Sequence, residues 1–378
     1  LFAEFGGEVI TNAWYVAGFS ADFIRGRLRE EMIAGKPLVL WRTRLGEVVA
    51  FDARCRHKRF PLAEGRLLDD DVLECAYHGF CYDATGACVA APARGREGPP
   101  VNARLRKFPV TEQNGLVWIW PGNPERAPWT GIPDAPELGG TQWESVRSAP
   151  VRLSAHWRLL IENLLDLTHF RSLHAKSAGE PAVRIPVRVE RRAIAGNDTV
   201  RANSRLLRSR LPPLLRDWFG YDIADRQHTQ HFLGPGLTQV RLRVAPPGGL
   251  GGPADQGYVV HHLHTPVDRS RSRWWWAIST ERRLRHPQDP AKPLADKIAE
   301  RFATIVAEDQ WALEAQQPML NHPDDGYEEV HVKTDGAIVL LRKIFEDLER
   351  REDDPDADEI ARLRTGRVAV GLTTPDRA

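Results

Sequence analysis

The sequence predicts an α+β fold in two parts, a small β-rich front and a larger rear in which an antiparallel sheet precedes helices. Three observations predict it. Residues 38–41, 48–51, 72–75 and 116–120 are short β-branched and aromatic runs, with Gly65 and Gly86 at turn positions between them. Residues 122–150 are rich in Pro and Gly and read as a linker between a front domain, 1–121, and a rear domain, 151–352. In the rear, residues 187–194, 199–206, 228–232, 238–244, 258–265 and 273–280 read as strands, and a helix over 293–317 follows them. Strands followed by helices, rather than alternating with them, argue for α+β.

Charge and composition narrow the function. With 52 basic and 51 acidic residues among 378, the net charge is +1, and no electrostatic footprint for nucleic acid is present. No run of about 18 apolar residues marks a membrane span, and no signal peptide is legible at Leu1. Four Cys suit a reducing cytosol better than a disulfide scaffold. A cytoplasmic chain with no membrane or nucleic-acid partner is the expectation.

The chemistry starts at Cys55-Arg56-His57, followed by Cys75-Ala76-Tyr77-His78. Cys-x-His with Cys-x-x-His is the ligand set of a Rieske [2Fe–2S] cluster, two thiolates on one iron and two imidazoles on the other. Structural zinc is the alternative, but its modules draw like ligands from each short turn, C-x₂₋₄-C then H-x₃₋₅-H. Here each half supplies one Cys and one His, which suits a cluster whose two irons differ. Gly79 allows close backbone approach behind His78. Imidazoles in place of two thiolates make electron uptake easier than in an all-Cys ferredoxin. High-potential Rieske proteins of respiratory chains resemble this stretch but add a disulfide pair and a serine. Those positions here hold Phe60, Tyr77 and Phe80, so a lower-potential cluster is expected. Cys81 and Cys88 read as small packed residues. Arg54, Arg56, Lys58 and Arg59 make the first loop basic, as a solvated face or as a docking surface for an acidic ferredoxin.

A second site is written into residues 156–174. The segment begins as a helix apolar nearly all round, hence buried. Within it Asn163, Asp166 and His169 recur at spacing three and draw a polar stripe. Buried polar groups need partners, so the stripe is either a hydrogen-bonded core network or a site. His174 favours a site. It follows His169 by five residues, about 140° out of register on a regular helix. For both to reach one metal the helix must end near His169 or carry a π-bulge there. Two His and a carboxylate make the facial triad of non-haem Fe(II) oxygenases. Asp166 is one candidate carboxylate, better placed as a partner to a ligand His. Asp309 is the stronger candidate. It shares the apolar stripe of the 293–317 helix with Ile298, Phe302, Ile305, Val306, Ala312 and Leu313, where an unpaired charge is costly. Glu308 lies at the margin of that stripe. The bland reading of Asp309 is an ion pair with an Arg.

Together these motifs make residues 12–349 resemble the Rieske non-haem iron oxygenases. The resemblance rests on Cys55-x-His57…Cys75-x-x-His78-Gly79, on Asn163-x-x-Asp166-x-x-His169-x₄-His174, and on Glu308-Asp309. Residues 11–17 and 55–62 look most like the monooxygenase branch that includes vanillate O-demethylase and dicamba monooxygenase. The resemblance implies a Rieske domain followed by a helix-grip catalytic domain, an antiparallel sheet with helices around a pocket. It implies that Cys55, His57, Cys75 and His78 hold the cluster and that His169, His174 and Asp309 hold a mononuclear Fe(II). Asp166 would bridge His78 of one subunit to His169 of its neighbour in a homotrimer, with Asn163 beside it as a further catalytic residue. O2 would be co-substrate, and electrons would come from NAD(P)H through a reductase, a ferredoxin or both. The substrate would be small and aromatic, and would be hydroxylated or O-demethylated. Ring cis-dihydroxylation, natural-product tailoring and bare electron carriage are the competing readings.

Other segments carry weaker signals. His262 and His264 share one strand face and His261 takes the other, as sheet or pocket residues. Trp274-Trp275-Trp276 reads as packing, with one ring free to line the substrate cavity. Residues 212–219 and 246–255 interrupt the sheet as lids or disordered loops. A last helix over 335–350 leads into a charged tail, 353–378, expected to be mobile.

Overall fold

Alternation along single strands explains how the front of the chain serves two cores at once. A computed structural model describes residues 9–179, 187–286, 289–322, 326–327 and 329–354. Strand Lys36–Arg42 pairs antiparallel with Arg29–Ile33 on one side and Val48–Asp52 on the other. Its fully buried run splits by parity. Leu38 and Leu40 join a core shared with the rear of the molecule, whereas Val39 and Trp41 pack with Val49, Phe51, Cys55 and Cys75. A strand buried on both faces reads as a continuous apolar run, as this one does. Tyr15–Phe19, Leu116–Ile119 and Val110–Gln113 form a second antiparallel sheet. A third joins Arg66–Leu67, Leu73–Glu74, Cys81–Tyr82 and Cys88–Ala90. The strand expected over 72–75 is confined to Leu73–Glu74, because the Cys75 amide turns away to Phe80 O at 2.8 Å.

The rear is built on one eight-stranded antiparallel sheet. Its order runs Trp143–Arg147, Ser272–Glu281, Gln256–Pro266, Leu237–Ala245, Ile223–Gly234, Asn197–Arg210, Val187–Ile194. Val151–Leu153 also pairs with the start of Ser272–Glu281. Six of these strands lie where alternation places them. Trp143–Arg147 does not, since it falls in the Pro- and Gly-rich stretch read as linker. Five cross-strand pairs, from Trp143 opposite Glu281 to Arg147 opposite Ala277, make it an edge of the sheet.

Helices cover one face of this sheet and the front of the chain covers the other. Trp274, Trp276 and Ile278 face the helices, while Trp275 and Ala277 pack with Trp14, Val16 and Trp118. The Trp run is therefore packing, as its pattern suggests. Four helices matter to the site. They are α1 (Trp157–Leu165), α2 (Pro213–Phe219), α3 (Leu294–Leu320) and α4 (Gly336–Asp353). The segment read as a lid or disordered loop at 212–219 is thus mostly helix, with Leu215, Trp218 and Phe219 buried. The segment at 246–255 is a chain of turns tied down by carboxylates. Asp225 accepts from the Gly248 amide at 2.7 Å, and Asp255 pairs with Arg243. The tail beyond residue 354 lies outside the described residues. Among those residues, no helix is long and apolar enough to cross a membrane.

Front and rear are joined by specific bonds. The Ala34 and Gly35 amides donate to Pro266 O and Val267 O at 2.7 and 2.9 Å, and Thr265 Oγ1 donates to Val16 O at 2.7 Å. Glu31, 4% exposed, is held between Arg29 and Arg273.

Helix α1 is apolar on nearly every side, and its one buried acid is clamped. Arg342 of α4 grips Glu162 with two bonds, at 2.8 and 2.7 Å. Burial pushes the Glu162 pKa up while Arg342 pulls it back down. Removing one partner of a buried pair strands the other's charge. Arg342→Ala is expected to cost about 3 kcal/mol of stability, read as a lower urea midpoint. Arg350→Ala, at an exposed pair with Asp347, is expected to change it by less than about 1 kcal/mol.

Candidate metal centres and substrate cavity

Two loops of the front domain share one hydrogen-bond plan. In the first, the Cys55 amide donates to Phe60 O at 3.0 Å and the Arg59 amide to Cys55 O at 2.9 Å. In the second, the Cys75 amide donates to Phe80 O at 2.8 Å and the Gly79 amide to Cys75 O at 3.0 Å. The fifth residue of each loop takes a left-handed conformation, Arg59 at φ 55° and Gly79 at φ 69°. Gly79 is the residue type suited to that backbone, and Arg59 adopts it at a steric cost.

The plan sorts the four candidate ligands by chemistry. Cys55 and Cys75 are 2% and 1% exposed, whereas His57 is exposed and His78 half-buried. The His57 and His78 ring centroids lie 4.5 Å apart. Burial raises the Cys75 thiol pKa, with the nearby Cys55 adding to it. Two inward thiols and two outward imidazoles on matched loops fit the donor set of a Rieske cluster. Tyr82 adds a contact that the sequence did not reveal. Its hydroxyl lies 3.3 Å from Cys55 Sγ and accepts from the Arg56 amide at 3.1 Å, which leaves its proton for the sulfur. A hydrogen bond to a ligand sulfur favours electron uptake, and this one is separate from the disulfide and serine positions, which hold Phe60, Tyr77 and Phe80. All four Cys are free; among the described residues the Cys81 and Cys88 thiols bond locally, to Gly79 O and Ala90 O, and Cys88 packs against the front core.

The second centre forms where α1 stops. Asp166 caps the helix with an extended backbone, φ −90° and ψ 124°. Its carboxylate accepts from both the Thr168 amide and the Thr168 hydroxyl at 2.7 Å. This local bond competes with helical continuation. A 3₁₀ turn over Thr168–Arg171 then carries His169, and further turns carry His174. The two His meet because the helix ends, with no π-bulge.

His169, His174 and Asp309 each offer a ligand atom, and these atoms lie within 4.8 Å of one another. Asp309 Oδ1 is 3.0 Å from His174 Nε2 and 3.7 Å from His169 Nε2. It also accepts from Asn163 Nδ2 at 3.2 Å. Most of the predicted apolar stripe of α3 is buried, with Ile298, Ile305, Val306 and Leu313 beside an Asp309 that is 5% exposed, while Phe302 and Ala312 are half-buried. Its partners are imidazoles and an amide, not an Arg. Asp166 Oδ2 stands 3.6 Å from His169 Nδ1, in charge range but longer than a hydrogen bond. Burial raises the Asp166 pKa, but His169 and Thr168 outweigh it and hold the carboxyl below its ordinary value.

Glu308 takes a role that its marginal position did not suggest. It points at His174 Nδ1, 2.7 Å away, and accepts from Ser177 Oγ at 2.5 Å. A carboxylate on Nδ1 holds a proton there, which leaves Nε2, beside Asp309, to offer its electron pair to a metal. Burial opposes charge on His174, yet Asp309 and Glu308 prevail and raise its pKa. Such an acid-rich pocket around neutral donors fits a divalent cation, and two His plus one carboxylate suit Fe(II).

A cavity opens beside this cluster. Leu164 of α1, Leu215 and Trp218 of α2, and Phe302 and Ile305 of α3 supply apolar walls. The sheet contributes His228, Gln230 and His262 as a polar side. Of the three clustered histidines only His262 reaches the cavity. His264 is bonded to Pro235 O and Thr238, and His261 contacts Gln239. None of the three Trp residues lines it. His228 and Gln230 were missed because they fall on an ordinary strand pattern; their spacing of two is the only sequence signal.

Glu308→Ala is expected to weaken iron binding about 10–100-fold, the usual effect of losing an outer partner of a ligand His. Glu308→Gln, which can still accept from Nδ1, should lose less. Titration against a competing chelator reads both.

Comparison with known proteins agrees with this geometry. The family model for the Rieske [2Fe-2S] domain matches residues 13–109, and that for the vanillate O-demethylase oxygenase C-terminal domain matches residues 153–351. The chain is 28% identical to the vanillate O-demethylase oxygenase subunit of a Pseudomonas species, covering 93% of this chain and 98% of that one. It is also 28% identical to the toluene-4-sulfonate monooxygenase system iron-sulfur subunit TsaM1 of Comamonas testosteroni, over 84% of this chain and 90% of the relative. The crystal structure of dicamba monooxygenase bound to dicamba superposes with a TM-score of 0.77 at 25% identity, covering 91% and 98% of the two chains. The chain belongs to the Rieske non-haem iron oxygenases, in the branch of the vanillate O-demethylase oxygenase components.

Proposed function

We propose that this oxygenase hydroxylates or O-demethylates a small aromatic substrate held between α1, α2, α3 and the sheet. The observation that carries the reading is the cluster of His169, His174 and Asp309 at the side of a mainly apolar cavity. In this reading Cys55, His57, Cys75 and His78 hold the Rieske cluster, and His169, His174 and Asp309 hold the mononuclear iron. The iron supplies O2 activation. The chain's own part is to seat a ring against Leu164, Trp218 and Phe302, to hold His174 through Glu308, and to keep bulk water from the reacting carbon.

The net chemistry follows from the substrate. One oxygen atom enters a C–H bond, and the other leaves as water with two electrons and two protons. Where the C–H belongs to an aryl methyl ether, the product is a hemiacetal, which breaks into a phenol and formaldehyde. Electrons reach the enzyme from an electron-transfer partner, here assigned to an NAD(P)H-dependent reductase, with or without a ferredoxin. Exposed Arg56, Lys58 and Arg59 beside the cluster ligands suit an acidic donor. Asp166, half-exposed at the end of α1 and beside His169, suits a bridge to His78 of a neighbouring copy. That arrangement implies a homotrimer, and a cytoplasmic setting suits the reduced thiols.

A screen of aryl methyl ethers with formaldehyde detection tests the reading. Formaldehyde is expected from the reconstituted enzyme. It is expected to be absent with Asp309→Ala, which should fall from about three irons per chain to about two and keep its Rieske signal. A variant that keeps its third iron would remove Asp309 from the ligand set. Asp166→Asn, whose amide oxygen can still accept from the Thr168 amide and hydroxyl, is expected to retain all iron but to slow electron arrival at the mononuclear site. Single-turnover kinetics after reduction of the cluster would show it, and an unchanged rate would defeat the bridging role.

A further inference from the structure

The cavity holds a polar pair that oxygen activation leaves unused. His228 and Gln230 stand two residues apart on the Ile223–Gly234 strand, so they share a face about 7 Å from each other. Both line the cavity that Asp309 also lines. His228 Nε2 and Gln230 Oε1 are buried atoms with no hydrogen-bond partner among the described residues. Gln230 lies between Ala202 and Val240 on the neighbouring strands, which offer it no polar side-chain atom. Other polar groups of the lining are engaged only in part, and Asn163 Oδ1 and Trp218 Nε1 are likewise buried without a partner among the described residues. Asn163 Nδ2 donates to Asp309, and His262 Nδ1 accepts from Trp274 Nε1 at 3.2 Å. Leaving two buried polar atoms unpaired is costly unless something arriving from outside completes them.

We propose that His228 and Gln230 bind an uncharged hydrogen-bonding group of the substrate, a carboxamide or a hydroxyl, and so set which end of the ring faces His169, His174 and Asp309. The proposal rests on the functional reading above and names its substrate class. Burial and the adjacent Arg226 push the His228 pKa down to about 3, so at neutral pH one ring nitrogen donates and the other accepts. The Gln230 carboxamide likewise accepts at one end and donates at the other. A group that both donates and accepts satisfies this pair. A carboxylate only accepts and leaves Gln230 Oε1 orphaned. It would also lose its hydration against two neutral side chains, in a cavity lined by Asp166 and Asp309.

The test is calorimetric binding to the full chain loaded with both iron centres. The probes are 4-methoxybenzamide, 4-methoxybenzoate and 4-methoxytoluene. The amide is expected to bind at least about ten-fold more tightly than either of the others. Gln230→Leu is expected to weaken the amide about ten-fold while moving 4-methoxytoluene by less than about two-fold. An unchanged Rieske spectrum marks an intact fold, and His228→Phe provides a second variant with the same expectation. The proposal is overturned by an amide that does not bind, by a carboxylate that binds as tightly, or by an amide preference that survives both substitutions. Amide binding without formaldehyde release supports the pair while counting against O-demethylation.

Discussion

A carboxylate on the apolar face of a helix is the constraint around which the rear of the molecule is organised. Asp309 shares the buried face of α3 with Ile305, Val306 and Leu313, where a charge without partners is untenable. Its partners come from α1 and the turn after it, as Asn163, His169 and His174. Glu308 places a second acid behind His174. Among the described residues, no Arg or Lys pairs with either acid. Two carboxylates and two imidazoles packed in this way hold an excess of negative charge that a divalent cation relieves. Burial, which makes the cluster costly by itself, couples the binding of a metal there to the stability of the fold.

Meeting at that point depends on a helix that stops. On a continued α1, His169 and His174 would diverge by more than a third of a turn. Asp166 prevents continuation by taking the Thr168 amide and hydroxyl for itself. One side chain thus ends the helix, lets the ligands converge, and stands beside His169 with a carboxylate still half-exposed. The apolar remainder of α1 anchors this turn between two cores, with Trp157, Ile161 and Leu165 on one side and Leu159, Leu160 and Leu164 on the other. Rigid support of this kind is what a ligand set needs to hold its geometry.

The front domain solves a similar problem by repetition. Two loops with the same bonds and the same left-handed residue bury a thiol each and turn an imidazole outward. The imidazole side is the side an electron donor can reach, while the sulfurs stay within the Val39, Trp41 and Phe51 core. Tyr82 brings a proton to one sulfur from the adjacent strand. Backbone bonds at Ala34 and Gly35 and the Glu31 pairs fix this domain against the sheet that carries the second centre.

By itself the sequence determined what local pattern can determine. Spacing picked out both candidate centres, because Cys-x-His, Cys-x-x-His and the stripe from Asn163 to His174 are short-range facts of the chain. Periodicity placed α3 over 293–317 against an observed Leu294–Leu320, and six strands of the large sheet. It put Asp309 on a buried face before any neighbour was known. Tertiary structure decided the rest. The strand at Trp143–Arg147 exists because Ser272–Glu281 offers an edge more than a hundred residues away, and no local propensity announces that. Pro213–Phe219 is helical because Leu215, Trp218 and Phe219 find a core to enter. Glu308 became the partner of His174, Tyr82 the partner of Cys55, and His228 and Gln230 the polar side of a cavity, each through a contact between residues distant in the chain or on separate elements. Hydrogen bonds and burial depend on where the other group lies in space, and spacing along the chain carries no record of it.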